Sequence, residues 1–551
     1  MLPSEQYDYA GAIANQPLGG KEIRFPTRGF TDATESTHFA TPLTPAAVNV
    51  LARLPYNPDF CGGTRPGLGK LFEESFASPR AVFSIPWKEF SGAMHVSIVV
   101  VDVEGVFHVV DGTAVDKDIY AETDDESAYI VTDDGMKIIF SGVSTVVVDG
   151  EVTAGCVLGE TFYYLSGNSM CIYTPRTGAA GVVLEDAFGA TSIRAWRGRI
   201  VLFGADNIVR FSSVTDPTNF DMGGDFENLD RASCVSFAEA GQIGNKITAF
   251  IPFSNNIALV GTRNELWCIS EDAVKGKVSR ISREYGIISD SAWGLGDGEV
   301  MFLSEDGPCY WRIDTSVTPL EGPSEDGTRK AVYGLRRPDQ SKKWLVGYDR
   351  ELGGHLILAV TDGIAVDESW FVCDDRSVWP FRFSASAKPV SICRKRDGEV
   401  SKLILACADG FVRAFTRSSS NDDSDEFSGA ITVGPVTHTT GATENAFLAE
   451  LVCEMDLADT DASGAFVSGI VGRTAHEVCE KARAFVAWVN GGCVGDAPGE
   501  TFRYQVGAGW NRVRRPRVRC NSFAAVIWSV GKRWAYSKLT VAHRGCGRIR
   551  Q

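Results

Sequence analysis

Several strings in this chain carry residue types that could do chemistry, and each fails on spacing. Gly62–Lys70, GGTRPGLGK, has the glycines and lysine of a phosphate-cradling loop. Such a loop needs Gly five positions before the Gly-Lys pair and Ser or Thr after the lysine; Thr64 and Leu71 stand there instead. Asp459, Asp461, Ser463 and Gly464 match the start of a calcium loop, but the twelfth position, which should supply a bidentate glutamate, is Ile470. Ser304-Glu305-Asp306-Gly307, with Trp311 following, reads as a structural turn. The seven histidines, at 38, 95, 108, 355, 438, 476 and 543, form no metal-ligand spacing with a second His or a Cys, and G-x-S-x-G is absent. These residues predict no catalytic, cofactor or metal site.

The fourteen cysteines include no C-x-x-C pair, and Cys268 in ELWCIS and Cys407 in LILACADG lie inside apolar runs. They read as reduced thiols acting as small core hydrophobes. The one strong chemical asymmetry is charge. Residues 501–551 hold twelve Lys/Arg and no Asp or Glu, so the first 500 residues carry −28 of the chain's net −16. Arg512, Arg514, Arg515, Arg517 and Arg519 concentrate that charge and form the candidate docking site for an acidic neighbouring surface. A solvated strand face is the plainer reading of the same run. The acidic remainder argues against coating nucleic acid, which requires phosphate neutralisation, and is compatible with a channel through which DNA slides without sticking.

The elements that would position these groups are strands. In a 551-residue chain with 57 glycines, short apolar runs of about five residues alternate with tight-turn signals, and Asp-Gly occurs nine times between 111 and 410. Such turns need positive φ, which Gly supplies freely and Asp tolerates. RIVLFGADNIVRFSS, NIALVGTRNELWCIS, EVMFLSEDGPCYWRI and LILACADGFVRAFT share a loose strand–turn–aromatic-strand pattern at roughly blade-sized spacing. The reading is all-β: a β-propeller of about six or seven blades over 86–420, an N-terminal arm over 1–85, and a β-sandwich-like platform over 421–551 to which the arm contributes. The arm carries a short strand-like or helical piece near Ala47–Leu54, and RSSSNDDSDEFSGA after Thr416 reads as a surface loop or domain boundary. No apolar run is long enough to span a bilayer and the N-terminus lacks a signal peptide's pattern, so the expectation is a soluble protein made in a cytoplasm.

The central block resembles a known family. Phe211–Ser213 leads into Asp216-Pro217-Thr218-Asn219-Phe220; Asn256–Gly261 and Glu265–Trp267 follow, then Tyr285–Ser289 with Ser291-Ala292, then Phe302–Gly307. Upstream stand Asn49-Val50 and Arg65-Pro66-Gly67-Leu68; downstream stand Arg514–Arg519 and Gly545–Arg550. In that order these elements resemble the tail nozzle, or tail tubular protein B type, family of short-tailed bacteriophages and the related tail hubs. The chain departs from the pattern near 421–426 and over 470–500. The resemblance implies a virion structural protein rather than an enzyme, with no cofactor. It implies a homo-oligomeric ring, a hexamer, in which propellers surround a channel for double-stranded DNA and ejection proteins. The platform would meet a portal-side adaptor ring and tail fibres or spikes. The alternatives are a carbohydrate- or protein-binding propeller outside any virion and, further off, a glycosidase-type propeller enzyme.

Overall fold

The computed structural model describes residues 19–26, 29–30, 43–52, 62–88, 94–105, 107–111, 143–146, 152–223, 227–238, 244–320, 337–361, 364–397, 400–417, 419–437, 444–457, 460–461 and 464–548. Among them, seven four-stranded antiparallel sheets follow one another and form the blades of a β-propeller. Their first strands are Ala81–Lys88, Val152–Leu158, Ser192–Trp196, Ile247–Ser254, Trp293–Leu295, Lys343–Asp349 and Pro389–Asp397, for blades 1 to 7 in order. Two of the second strands, Arg199–Phe203 and Glu299–Ser304, are buried along their whole length. A blade is covered on both faces by its neighbours, so its inner strands read as unbroken apolar runs instead of alternating ones.

Each pair of neighbouring blades shares a core. Val99 and Val101 of blade 1 meet Phe162 and Tyr164 of blade 2; Leu165 meets Ile200 and Leu202 between blades 2 and 3; Phe203 and Phe211 meet Phe250 between 3 and 4. Ile251 and Leu259 meet Val300 and Phe302, Met301 and Leu303 meet Trp344 and Ile357, and Leu356 and Phe371 meet Leu403 and Leu405. Ile404 and Val412 of blade 7 then pack on Val82, Ile98 and Val100 of blade 1, which closes the ring. Each such side chain, fully buried, contributes about 1.5–3 kcal/mol, so the closed ring outweighs any open arrangement that exposes one of these interfaces.

Blade 7 takes its fourth strand from the arm: Gly67–Lys70 pairs antiparallel with Val412–Thr416. The Asp409-Gly410 turn sits against the arm as well. Gly410 has φ +95°, and a Cβ there would lie 2.3 Å from the Phe76 carbonyl oxygen, so both conformation and space demand glycine. The arm therefore serves blade 7 as well as the platform it was expected to join.

The platform is two sheets. One orders Val50–Ala52, Gly62–Thr64, Ala535–Arg548, Glu444–Met455 and Gly509–Cys520, with Gly19–Arg24 also pairing Ala535–Arg548; the other orders Ala47–Val48, Ser428–Thr437, Ser522–Val530, Ala465–Gly472 and Glu500–Val506. The piece near residue 47 is thus two short strands, broken at Asn49 with φ 52°. The stretch over 470–500 includes helix α1, Ala475–Asn490, in a region read as β. Thr474 caps it by accepting from the Glu477 amide at 3.2 Å, and Val478, Ala482, Phe485, Val486 and Val489 bury one stripe on the second sheet. The inner faces of the two sheets, including Val433, Val467, Phe523, Leu451 and Val541, belong to the same core as Phe371, Trp379, Phe381 and Phe415 of blades 6 and 7. Propeller and platform are one continuously packed body.

Candidate functional site

Among the described residues the arginine-rich strand, Gly509–Cys520, is the outer edge of the six-stranded sheet and pairs on one side only, with Glu444–Met455. Val513 and Val518 turn into the core. The register places Arg512 opposite Val452, Arg514 opposite Glu450 and Arg519 opposite Phe447, with a bulge between Leu448 and Glu450 that leaves Arg515, Pro516 and Arg517 out of step. The side chains of Arg514, Arg515 and Arg517 lie outside the described residues. Arg512 is committed internally to Glu450, one contact being Nη2 to Oε2 at 3.0 Å, whereas Arg519 is exposed. Trp510, 68% exposed, stands near Lys538, which also reaches Glu454 at 3.4 Å. Charge, a proline and a bulge are the devices by which an edge strand resists pairing with another strand. What this edge offers is a cationic, aromatic-flanked rim.

The sequence reading missed a second centre, where arm, propeller and platform meet. Arg65 and Asp422 are completely buried. Arg65 Nη1 donates to Asp422 Oδ1 at 2.8 Å and Nη2 donates to Oδ2 at 2.7 Å. The remaining guanidinium hydrogens go to the Asn49 side chain and to the Pro66 and Arg382 carbonyls, and the plane lies 4.0 Å from the Phe427 ring centre. Asp422 belongs to the acidic run expected as a surface loop or domain boundary. It lies in a short hairpin, Asn421–Asp422 with Asp425–Glu426, folded over the closing strand. A buried charge survives only when paired and fully hydrogen-bonded, and this one is. The available signal was the Arg-Pro-Gly string itself: Gly67 is obligatory because a Cβ there would lie 2.0 Å from the Asn421 carbonyl oxygen.

The other motifs resolve into architecture. Lys70 of the phosphate-loop-like string ends the closing strand and pairs with Asp423 at 3.2 Å. In DPTNF, Asp216 accepts from the Thr218 hydroxyl at 2.7 Å and amide at 2.9 Å, contacts that hold its carboxyl below the usual range. Phe220 plugs the core between blades 2 and 3. Beneath that loop, buried Arg199 donates to the carbonyls of Ser212, Leu229 and Arg231. Ser304 of the Asp-Gly turn donates to the Gly307 carbonyl at 2.8 Å. Asp461 accepts from the Arg533 amide at 2.9 Å, while Asp459 and Ser463 lie outside the described residues, as do His38 and His438. Among the described residues no group of three His, Cys, Asp or Glu could hold a metal ion, and the twelve cysteines there are free thiols.

One titratable cluster occupies the interface of blades 5 and 6. Glu299 receives both Arg376 nitrogens, at 2.8 and 2.7 Å, and Arg312 Nε at 2.8 Å. Burial opposes its charge, but the two guanidiniums prevail and hold its carboxyl below the usual range. Arg376 also lies over the Tyr310 ring, and Tyr348 donates to Asp374 at 3.2 Å. His355, 1% exposed, packs between Tyr310 and Tyr348, and its ring nitrogens make no well-formed hydrogen bond, the Gly294 backbone being the polar group beside them. Burial lowers it to about 4. A Cβ on Gly294 would approach its ring to 2.8 Å, so the imidazole fills its space, and the cluster acts as polar packing between blades.

No family model matches the chain, and no curated protein matches it. Solved structures resemble it at low similarity. BBS1N in complex with ARL6DN matches with TM-score 0.38 and 10% identity over 64% of this chain and 99% of that one. PorZ of the type-IX secretion system of Porphyromonas gingivalis matches with TM-score 0.36 and 12% identity over 67% and 45%. Hsv2 of Kluyvelomyces marxianus matches with TM-score 0.29 and 11% identity over 48% and 72%. The propeller assignment rests on the ring of seven sheets and the cores between them.

Proposed function

We propose that this chain is a structural virion protein, a wall subunit of the tail nozzle or hub ring of a short-tailed bacteriophage. In this reading it acts without catalysis or cofactor. Copies assemble as a homohexamer, the platform docks on the portal-side adaptor ring and on tail fibres or spikes, and double-stranded DNA passes through the lumen. The observation that carries it is the single core joining blades 6 and 7 to a platform built from both chain ends. A subunit that must transmit load between an adaptor and a channel wall needs that fusion, whereas a lone binding propeller does not. The ordered resemblance from Asn49 to Arg550 supplies the tail assignment, and the cationic rim at Arg519 supplies a surface for an acidic partner.

Light scattering and electron micrographs of the purified chain test the assembly: particles of about six chain masses with sixfold projections are expected, alone or on addition of the adaptor. A stable monomer under both conditions that binds glycans would refute the reading in favour of the carbohydrate-binding alternative. Arg519→Glu, at an exposed position, should leave melting unchanged and weaken docking in a salt-dependent manner. Docking that is unaltered by this reversal and by ionic strength would remove the rim from the argument.

A further inference from the structure

The axis of the propeller is lined by the first strands of the blades, and their side chains there are not inert. Arg194, on the first strand of blade 3, crosses to Asp290, just ahead of the first strand of blade 5: Nη2 meets Oδ2 at 2.8 Å and also donates to the Asp290 carbonyl at 3.1 Å. The guanidinium lies 5.6 Å from the Trp293 ring centre. The two residues belong to non-adjacent blades, so the ion pair is a spoke across the ring. Around it stand Ser192 of blade 3, the Phe250 backbone of blade 4, Cys156 of blade 2, and Cys393 of blade 7 beside Ser84 of blade 1. Six of the seven blades thus converge on one pair of charges.

The pair is largely enclosed but not sealed from water, the Arg194 and Asp290 side chains being 25% and 16% exposed. Ser84 Oγ, Arg194 Nε, Asp290 Oδ1 and Trp293 Nε1 are buried atoms without a well-formed hydrogen bond. An ion pair spanning non-adjacent blades, with buried polar atoms around it, places a charged constriction on the axis. Burial also pushes the Cys156 and Cys393 thiols up to about 12, which keeps them protonated at neutral pH.

We infer that the Arg194–Asp290 pair is a seal that closes the propeller axis to solutes larger than water. The inference is independent of the tail assignment. In a channel wall, such a seal would stop each propeller from being a side leak.

Cys156, packed against the core of blades 2 and 3, and Cys393, packed against that of blades 7 and 1, are partly exposed thiols on first strands that report on access, while Cys234 is exposed and serves as the internal reference. The folded protein is treated separately with methyl methanethiosulfonate and with a polymer-linked maleimide, and labelling at each cysteine is followed by peptide mass spectrometry. Both reagents attack the thiolate, so the ratio of small- to large-reagent labelling, normalised to Cys234, reads access and not acidity. In the wild type this ratio should exceed that of Cys234 by about tenfold or more at both axial thiols. In Asp290→Ala it should fall toward that of Cys234. Asp290→Asn, which keeps the shape and an acceptor, covers the case in which the alanine variant does not fold. A wild-type ratio equal to that of Cys234 would show an axis already open and overturn the inference. So would a folded Asp290 variant with the wild-type ratio.

Discussion

Removing Arg65 should loosen the ring at its closing blade. In Arg65→Met the apolar length is kept, but the Asp422 carboxylate loses both of its charge-assisted bonds while the Ser384 amide, at 3.1 Å, remains its partner. A buried ion left without its counter-ion costs about 3–5 kcal/mol. Asp422→Leu should cost a similar amount, because the guanidinium would then be stranded among Phe381, Phe383 and Phe427. The double variant should be less destabilised than the sum of the two, since a buried pair replaced by apolar groups is often nearly neutral. The loss should be local. Arg65 stands two residues ahead of the closing strand, and the Asp423 amide donates to the Leu68 carbonyl at 2.6 Å, so amides of Gly67–Lys70 and Val412–Thr416 should exchange faster, while those of blades 3 and 4 should hardly change. Hydrogen exchange by mass spectrometry, with urea melting for the global value, measures both. Arg65→Met within about 1 kcal/mol of the wild type, with unchanged exchange in blade 7, would refute the idea that this pair holds the ring closed.

Two further outcomes follow from buried side chains. Burial lowers His355 to about 4, so below the unfolded value of 6.5 the unfolded chain takes up a proton that the folded chain refuses. Stability should therefore fall as pH drops from about 6.5 to about 4, by at most about 3 kcal/mol from this residue. The melting temperature of His355→Phe should show a flatter pH dependence than the wild type over that window; parallel curves would remove His355 as a contributor. Phe220→Ala, emptying the plug between blades 2 and 3, should cost about 3–5 kcal/mol and lower the melting temperature, whereas a near-neutral result would mean that the DPTNF loop is not held by that ring.

Much of the propeller was legible along the chain because its signals are local. An Asp-Gly turn needs positive φ whatever surrounds it, and a strand packed between two blades is apolar along its middle, as Ile200–Phe203 of RIVLF and Val300–Leu303 of EVMFLS are. The helix over Ala475–Asn490 was equally local, with its Thr474-x-x-Glu477 cap and apolar stripe, but it stood between strands in a region whose alternation at Arg512–Arg519 suggested β structure alone. The candidate site was legible only as composition. The sequence located the basic run, but whether an arginine is committed depends on what the partner strand brings within reach: Arg512 reaches Glu450 diagonally, while Arg519 stands opposite Phe447.

By itself, then, the sequence determined strand length, turn position and the all-β class, since these follow from side-chain size and backbone freedom over a few residues. Tertiary structure alone decided which strand closes the ring and which charges are buried. Gly67–Lys70 carries little strand character, and it becomes the last strand of blade 7 because a seventh sheet had one unpaired edge within reach. Asp422 reads as a solvated charge in an acidic run, and it sits in the interior because Arg65, 357 residues away in sequence, arrives there with the matching geometry. Long-range pairing of this kind has no local signature. Its energy comes from the charge-assisted bonds that offset the desolvation of both partners, and those exist only once the fold has brought the two into contact.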